Sequence, residues 1–305
     1  MKKIFIIIFL VSLITSLGII YYHQAIKPSQ NMVKNHDKPY QRIISLSPNI
    51  TEILFALELG EKIVGVTRYC NYPPQAKKIA KVGGYLDPNY EAILRLEPDV
   101  VITLPEFEEV KNFLSELGIN YRIVNNKTIA DILASIKYLG EELNAENKAN
   151  EISGEINSKM AQITERTKIL HRPKVLISVG RSLGSGVLEE VYIAGKNTFY
   201  DELINYAGGN NAFQDEKIAY PMLSAEGIIN INPEIIIDLV PDFEKKGLDE
   251  SVIKKGWERV FEVDAIKNNR IHVLGQSYTV IPGPRFVLLL EDLARIIHPE
   301  ISWND

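Results

Sequence analysis

Residues 145–170, AENKANEISGEINSKMAQITERTKIL, decide the fold. Ala149, Ile152, Ile156, Met160, Ile163, Thr167 and Leu170 follow one another at steps of three or four, the spacing that puts side chains on one face of an α-helix. At ~1.5 Å per residue the segment is a helix ~39 Å long, beyond the usual helix of a compact domain. Both of its flanks read alike. Upstream, short apolar runs at Arg42 to Leu46, Lys62 to Val66, Val100 to Thr103 and Tyr121 to Val124 alternate with helical stretches. Those stretches are a helix opened by SPNITE (47–52), with Asn49 and Glu52 spaced as a capping box, then Asn89 to Leu96, Glu108 to Leu117, and a helix from Ile129 that breaks at Asn144. Downstream of Pro173, strands are expected at Lys174 to Val179, Ile235 to Leu239 and Arg270 to Leu274, before an apolar helix from about Arg285 to Ile297. Such alternation is the mark of α/β layering. The simplest architecture is two α/β lobes, 41–143 and 172–305, joined by one rigid helix, 144–171.

An internal repeat supports two lobes. Residues 89–102, NYEAILRLEPDVVI, align without a gap to 224–237, SAEGIININPEIII. Each reads as a short helix, a proline and an aliphatic strand, with Glu91 and Glu226 at the same place. Packing requires neither carboxylate. A first-turn carboxylate gains ~0.3–1 kcal/mol from the helix dipole, which is the structural account. The functional one is that two similar lobes each present an acidic contact to a two-fold partner.

Of 305 residues, 46% are hydrophobic and 24% charged, which excludes collagen, coiled coil, disorder and a multi-span membrane protein. Net charge is −5. Residues 1–39 carry five Lys and one Asp, so the rest holds −9, and a phosphate-backbone binder needs basic surface instead; no nucleic-acid partner is expected. Lys2 and Lys3 precede an uncharged, proline-free run from Ile4 to Tyr22, ~29 Å as a helix, about one bilayer core. Residues 1–22 therefore read as an export signal or membrane anchor, with membrane contact through residues 4–22 if it is retained, and 23–40 as a flexible linker. Cys70 stands alone, so no intrachain disulfide forms.

Gly180-Arg181-Ser182-Leu183-Gly184 follows an expected strand, and Asp238 and His272 come later in the order of a serine hydrolase. The match is thin, because His272 lies within a strand and Gly184-Ser185-Gly186 is a poor helix start. Tyrosines are the better signal: Tyr69, Tyr72, Tyr85, Tyr192, Tyr220 and Tyr278 fall where strands or glycine turns end, the expected place for ligand groups in open α/β sheets. Each offers a flat apolar face and a hydroxyl, suited to a large, flat, partly polar ligand. Arg68, Arg181 and Arg285 are candidates for ligand carboxylates or phosphate. The sequence has no Walker-type phosphate loop, no His pair at ligand spacing and no acidic metal cage.

These segments match something known. SLSPNITEILFALELGEKIVGVTRYCNYPPQA, VGGYLDPNYEAILRLEPDVVI, AGGNNAF, YPMLSAEGIININPEIII and PGPR resemble the substrate-binding proteins of ABC importers for vitamin B12 and ferric chelates, over about Arg42 to Pro299. The resemblance implies the class III periplasmic-binding-protein fold: two Rossmann-like α/β lobes on one long helix, with the ligand in the cleft between them. It implies no enzymatic activity and no cofactor, the metal chelate being cargo. By position it assigns Tyr69, Tyr85, Tyr192, Tyr220, Ser277 and Tyr278 to ligand binding and Glu91 and Glu226 to docking on permease arginines; Arg181 joins the ligand-binding candidates from the reading of the residues alone. The expectation is an extracytoplasmic, monomeric receptor that hands a corrinoid to an ABC permease and its ATPase. Ferric siderophore or haem is the alternative cargo, an esterase on Ser182 or a tethered signalling partner the alternative class.

Overall fold

The computed structural model describes residues 39–183, 188 and 190–303. The expected export segment and nearly all of the linker lie outside them, as does Gly184 of the serine motif. Among the described residues no helix is long and apolar enough to cross a membrane. The chain from Tyr40 onward forms one unit built on two sheets.

The first lobe runs β1 (Ile43–Ser45), α1 (Pro48–Ala56), β2 (Ile63–Val66), β3 (Ala80–Lys81), α2 (Tyr90–Arg95), β4 (Val100–Thr103), α3 (Glu108–Glu116), β5 (Tyr121–Ile123) and α4 (Ile129–Glu142). Its strands are all parallel, in the order β3-β2-β1-β4-β5. A parallel sheet is covered on both faces, so its central strands are unbroken apolar runs; every residue of β4 is buried. The strand order reverses between β1 and β4, the kind of crevice in which doubly wound sheets bind ligands.

Next comes α5 (Glu146–Thr167), 22 residues and ~33 Å long. Ala149, Ile156, Met160, Ile163 and Thr167 are buried as their spacing predicts, while Ile152 and Leu170 are half-buried. It lies close on α4, where a Cβ on Gly140 would stand 2.4 Å from that of Ala149. Any side chain at 140 would push the helices apart.

The second lobe contains β6 (Lys174–Arg181), β7 (Val191–Ile193), α6 (Phe199–Tyr206), β8 (Asn210–Asn211), β9 (Met222–Leu223), α7 (Ala225–Ile231), β10 (Ile235–Leu239), α8 (Glu250–Lys255), α9 (Asp264–Lys267), β11 (Ile271–Leu274) and α10 (Phe286–Ile297). Its order is β11-β10-β6-β7-β9, with β8 beside β6. β6, β10 and β11 are parallel, but β7 runs antiparallel to both β6 and β9. A parallel crossover needs a dozen or more residues, and the link between β6 and β7 is too short for one. This edge departs from the doubly wound pattern for that reason.

The lobes also touch directly. Ile129 N at the start of α4 donates to Glu202 Oε2 of α6 at 2.6 Å, and the joining helix is tied to the second lobe where Lys159 of α5 pairs with Glu291 of α10 at 2.8 Å.

The repeat is structural. α2 leads into β4 and α7 into β10, each helix capped by the side chain of its first repeat residue: Asn89 accepts from Ala92 N and Ser224 from Gly227 N. Even the left-handed residue before each proline matches, Glu97 at φ 43° and Asn232 at φ 42°. Asn tolerates that region better than Glu does. The capping box expected at Asn49 and Glu52 is not formed. Helix α1 begins at Pro48 with Ser47 in the cap position and no side-chain cap bond, because Asn49 accepts from the Ser47 hydroxyl and Glu52 is engaged elsewhere.

Candidate functional site

The carboxyl ends of the first lobe's strands meet the second lobe at a cleft of about 1010 Å³. That is the upper end of small-molecule sites, so its occupant is large. After β1 come Ser47, Pro48 and Asn49; after β2, Tyr69, Asn71, Tyr72 and Lys77; after β3, Tyr85; after β4, Glu106; after β5, Asn126 and Lys127. The second lobe supplies Phe199 and Tyr200 from the first turn of α6, Tyr220 ahead of β9, Pro241, Asp242, Lys245 and Lys246 after β10, and Ser277 with Val280 to Pro282 after β11.

Tyr69, Tyr85, Tyr220 and Ser277 are thus brought to the cleft as expected. Tyr85 stands edge-on to Phe107 at 4.8 Å and donates its hydroxyl to Glu106 Oε1 at 3.0 Å. Burial, with the Glu106 charge beside it, pushes the Tyr85 hydroxyl up to about 12, so it is a neutral donor at neutral pH. Tyr200 is buried with its hydroxyl on Thr279 O at 2.9 Å, and burial raises its pKa too.

Three expected ligand residues lie elsewhere. Tyr278 turns away from the cleft to donate to Asp292 Oδ2 of α10 at 2.7 Å. Tyr192 is 50% exposed on β7, opposite Met222, and does not face the cleft cavity. Arg181 is buried away from the cleft lining. Its side chain is 4% exposed and pairs with Asp238, itself 1% exposed, at 2.8 Å. Its Nη2 also donates to Ile253 O at 2.7 Å, and its guanidinium lies 5.2 Å from the Trp257 ring. A guanidinium so enclosed is spent within its own lobe. The same pair removes the hydrolase arrangement, since Asp238 Oδ2 accepts from Arg181 and from Trp257 Nε1 at 3.0 Å. Asp238 aligns with Val273 and not with His272.

The sequence reading missed Phe199, Tyr200 and the four lysines as lining residues; it named Tyr72 among the strand-end tyrosines, but the family resemblance assigned it no role. Tyr72 had the same signal as Tyr69. Phe199 and Tyr200 follow the capping Thr198, whose side chain accepts from Asp201 N, a start signal in the sequence that marks a helix end but not the cleft it faces.

At the cleft floor the lobes are pinned by charge. Arg285 holds Glu52 with two bonds, Nε to Oε2 at 2.8 Å and Nη2 to Oε1 at 2.5 Å. Burial raises the Glu52 pKa, and Arg285 pulls it back down. Cys70 is enclosed beside the same helix, 3.1 Å from the hydroxyls of Thr51 and Thr67, and is a packed thiol.

Glu91 and Glu226 are exposed, each in the first turn of its helix. Among the described residues neither enters an ion pair.

The family model described as periplasmic binding protein matches residues 43–278. The chain belongs to the periplasmic binding protein family. Its relatives agree. It is 30% identical over 273 residues to an uncharacterized ABC transporter substrate-binding lipoprotein, YvrC of Bacillus subtilis, covering 86% of this chain and 82% of that one. It is 25% identical over 251 residues to the vitamin B12-binding protein of Vibrio parahaemolyticus, covering 82% and 86%. The periplasmic heme-binding protein RhuT of Roseiflexus superimposes with a TM-score of 0.72 at 27% identity, covering 85% of this chain and 98% of the other. This periplasmic binding protein is therefore a substrate-binding component of transport and not an enzyme, working outside the cytoplasmic membrane with an ABC permease as its partner.

Proposed function

We propose that this protein captures a corrinoid of the vitamin B12 type in its interlobe cleft and delivers it to the permease through Glu91 and Glu226. The observation that carries the reading is the lining: aromatic rings from both lobes, Tyr69, Tyr72 and Tyr85 on one side and Phe199, Tyr200 and Tyr220 on the other, around a cavity of about 1010 Å³. Aromatic faces stack on a flat macrocycle. Ser47, Asn49, Asn71, Asn126 and Ser277 bring hydroxyls and amides that match a ring bearing amide side chains. Among the described residues the lining has no His, Met or Cys to hold haem iron, so an iron ligand from it would have to be a tyrosine. The B12-binding relative points the same way.

One feature favours a second cargo. Lys77, Lys127, Lys245 and Lys246 line the cleft, although Lys245 is paired with Asp242 at 2.5 Å, and such a wall suits an anionic ferric siderophore or haem. Calorimetric titration of the purified protein with cyanocobalamin, haemin and a ferric tris-catecholate separates these. The expected result is saturable 1:1 binding of cyanocobalamin with a Kd below about 1 μM. Binding of haemin or the catecholate with no response to cyanocobalamin removes the corrinoid.

A further inference from the structure

Arg285 belongs to the second lobe, at the entry to α10, yet its guanidinium is held by the first. Its two bonds to Glu52 join residues 233 apart in the chain, and the side chains are only 14% and 2% exposed. The same guanidinium lies 3.6 Å from the centre of the Tyr72 ring and 3.5 Å, by Nη2, from Ser277 Oγ. Tyr72 and Ser277 line the cleft on opposite lobes, while Arg285 itself does not face the cavity. Gly283, two residues earlier, packs this turn against α1: a Cβ there would stand in ordinary contact, 3.4 Å, with Cα and Cβ of Asn49.

Desolvating both ions offsets much of the attraction in a buried pair, so such a pair is weak evidence for stability. Geometry is what it supplies. A planar guanidinium fixed by two parallel bonds has its orientation set, and a ring stacked on it is held in turn. We infer that Arg285 is a positioning residue for ligand recognition: locked by Glu52, it fixes the Tyr72 ring as floor of the cleft, in register with Ser277 across the lobe boundary, without touching the ligand. The inference rests on the cleft being the ligand site and is independent of which chelate fills it.

The test is a double-mutant cycle between Arg285→Lys and Tyr72→Ala, with Kd measured for whichever of cyanocobalamin, haemin and ferric tris-catecholate the unaltered protein binds. Lysine keeps the charge but loses the fork and the flat face. The expected result is affinity weakened about tenfold or more in the parent background, under twofold when Tyr72→Ala is already present, and melting temperature lowered equally in both. Equal Kd losses in the two backgrounds, or none in either, overturn the inference and leave a structural ion pair. A second readout needs no ligand. In protein labelled with fluorotyrosine, the ¹⁹F resonance lost on Tyr72→Phe should be shifted in the parent and move toward the free value in Arg285→Lys; an unmoved resonance contradicts the inference even if no chelate binds. Should Arg285→Lys fail to fold, Glu52→Leu with Arg285→Met replaces the pair by apolar side chains and meets the same two readouts.

Discussion

Reversing both exposed glutamates, Glu91→Lys with Glu226→Lys, is expected to abolish chelate uptake in cells while leaving the Kd of the purified receptor within about twofold. Both carboxylates lie in the first turn of a short helix, α2 or α7, and outside the cleft lining. Their local worth is small, ~0.3–1 kcal/mol each from the helix dipole, and Asn89 and Ser224 still cap the helices. The fold and the cleft therefore survive. At the permease the effect is large, because two proposed attractions become repulsions and like charges brought together cost several kcal/mol. A fall in uptake on the order of a hundredfold or more follows, with each single reversal intermediate. Radiolabelled cyanocobalamin uptake, set beside calorimetry on the same variants, decides it. Uptake unchanged in the double variant removes the docking assignment, and loss of ligand affinity in parallel moves the glutamates to the ligand.

Asp238→Ala is expected to be the most destabilising single change in the second lobe, costing ~3–5 kcal/mol in urea unfolding. It leaves the Arg181 guanidinium, 4% exposed, without its counter-ion, and removing one partner of a buried pair carries that penalty. Trp257, fully buried, loses the acceptor for its Nε1 as well. Replacing both charges, Arg181→Met with Asp238→Leu, should recover most of the loss, since buried pairs exchanged for apolar residues are often neutral. Ligand affinity of that double variant should match the parent, because neither residue lines the cleft. A loss below about 1 kcal/mol for Asp238→Ala contradicts the buried-pair account.

Periodicity carried most of the fold. The series of the long helix from Ala149 to Thr167, the strands Val100–Thr103 and Ile235–Leu239, and the repeat around Glu91 and Glu226 all have counterparts in the structure, because each is local and repeats a short spacing; Leu170 falls beyond the helix end. The antiparallel edge formed by β7 and β9 was not legible. Those strands have three and two residues, too short for an alternation to register, and they pair across an intervening helix and strand. In the site, tyrosines at strand ends marked the cleft, since strand ends are where an α/β sheet presents its loops. Which way each one turns was decided by a partner distant in the chain: Asp292 takes Tyr278. Arg181 shows the same limit. Next to a serine motif it looks like an anion ligand, and only the sheet register, which aligns Asp238 with Ser178 of the same strand, shows that a carboxylate is already waiting for it. A trace of the Glu52–Arg285 pair was present, a lone carboxylate inside the apolar run of α1, but its partner lies 233 residues away.

In the proposed complex a flat chelate sits between aromatic rings of the two lobes. Titrating cyanocobalamin into the parent and into Tyr85→Ala with Tyr220→Ala measures it directly. Stacking on an aromatic side chain is worth ~1–3 kcal/mol per ring, so the two rings, one on each lobe, predict a double variant weaker by a factor of about 30 or more while it remains folded at the assay temperature. Binding in the double variant as tight as in the parent would contradict the account.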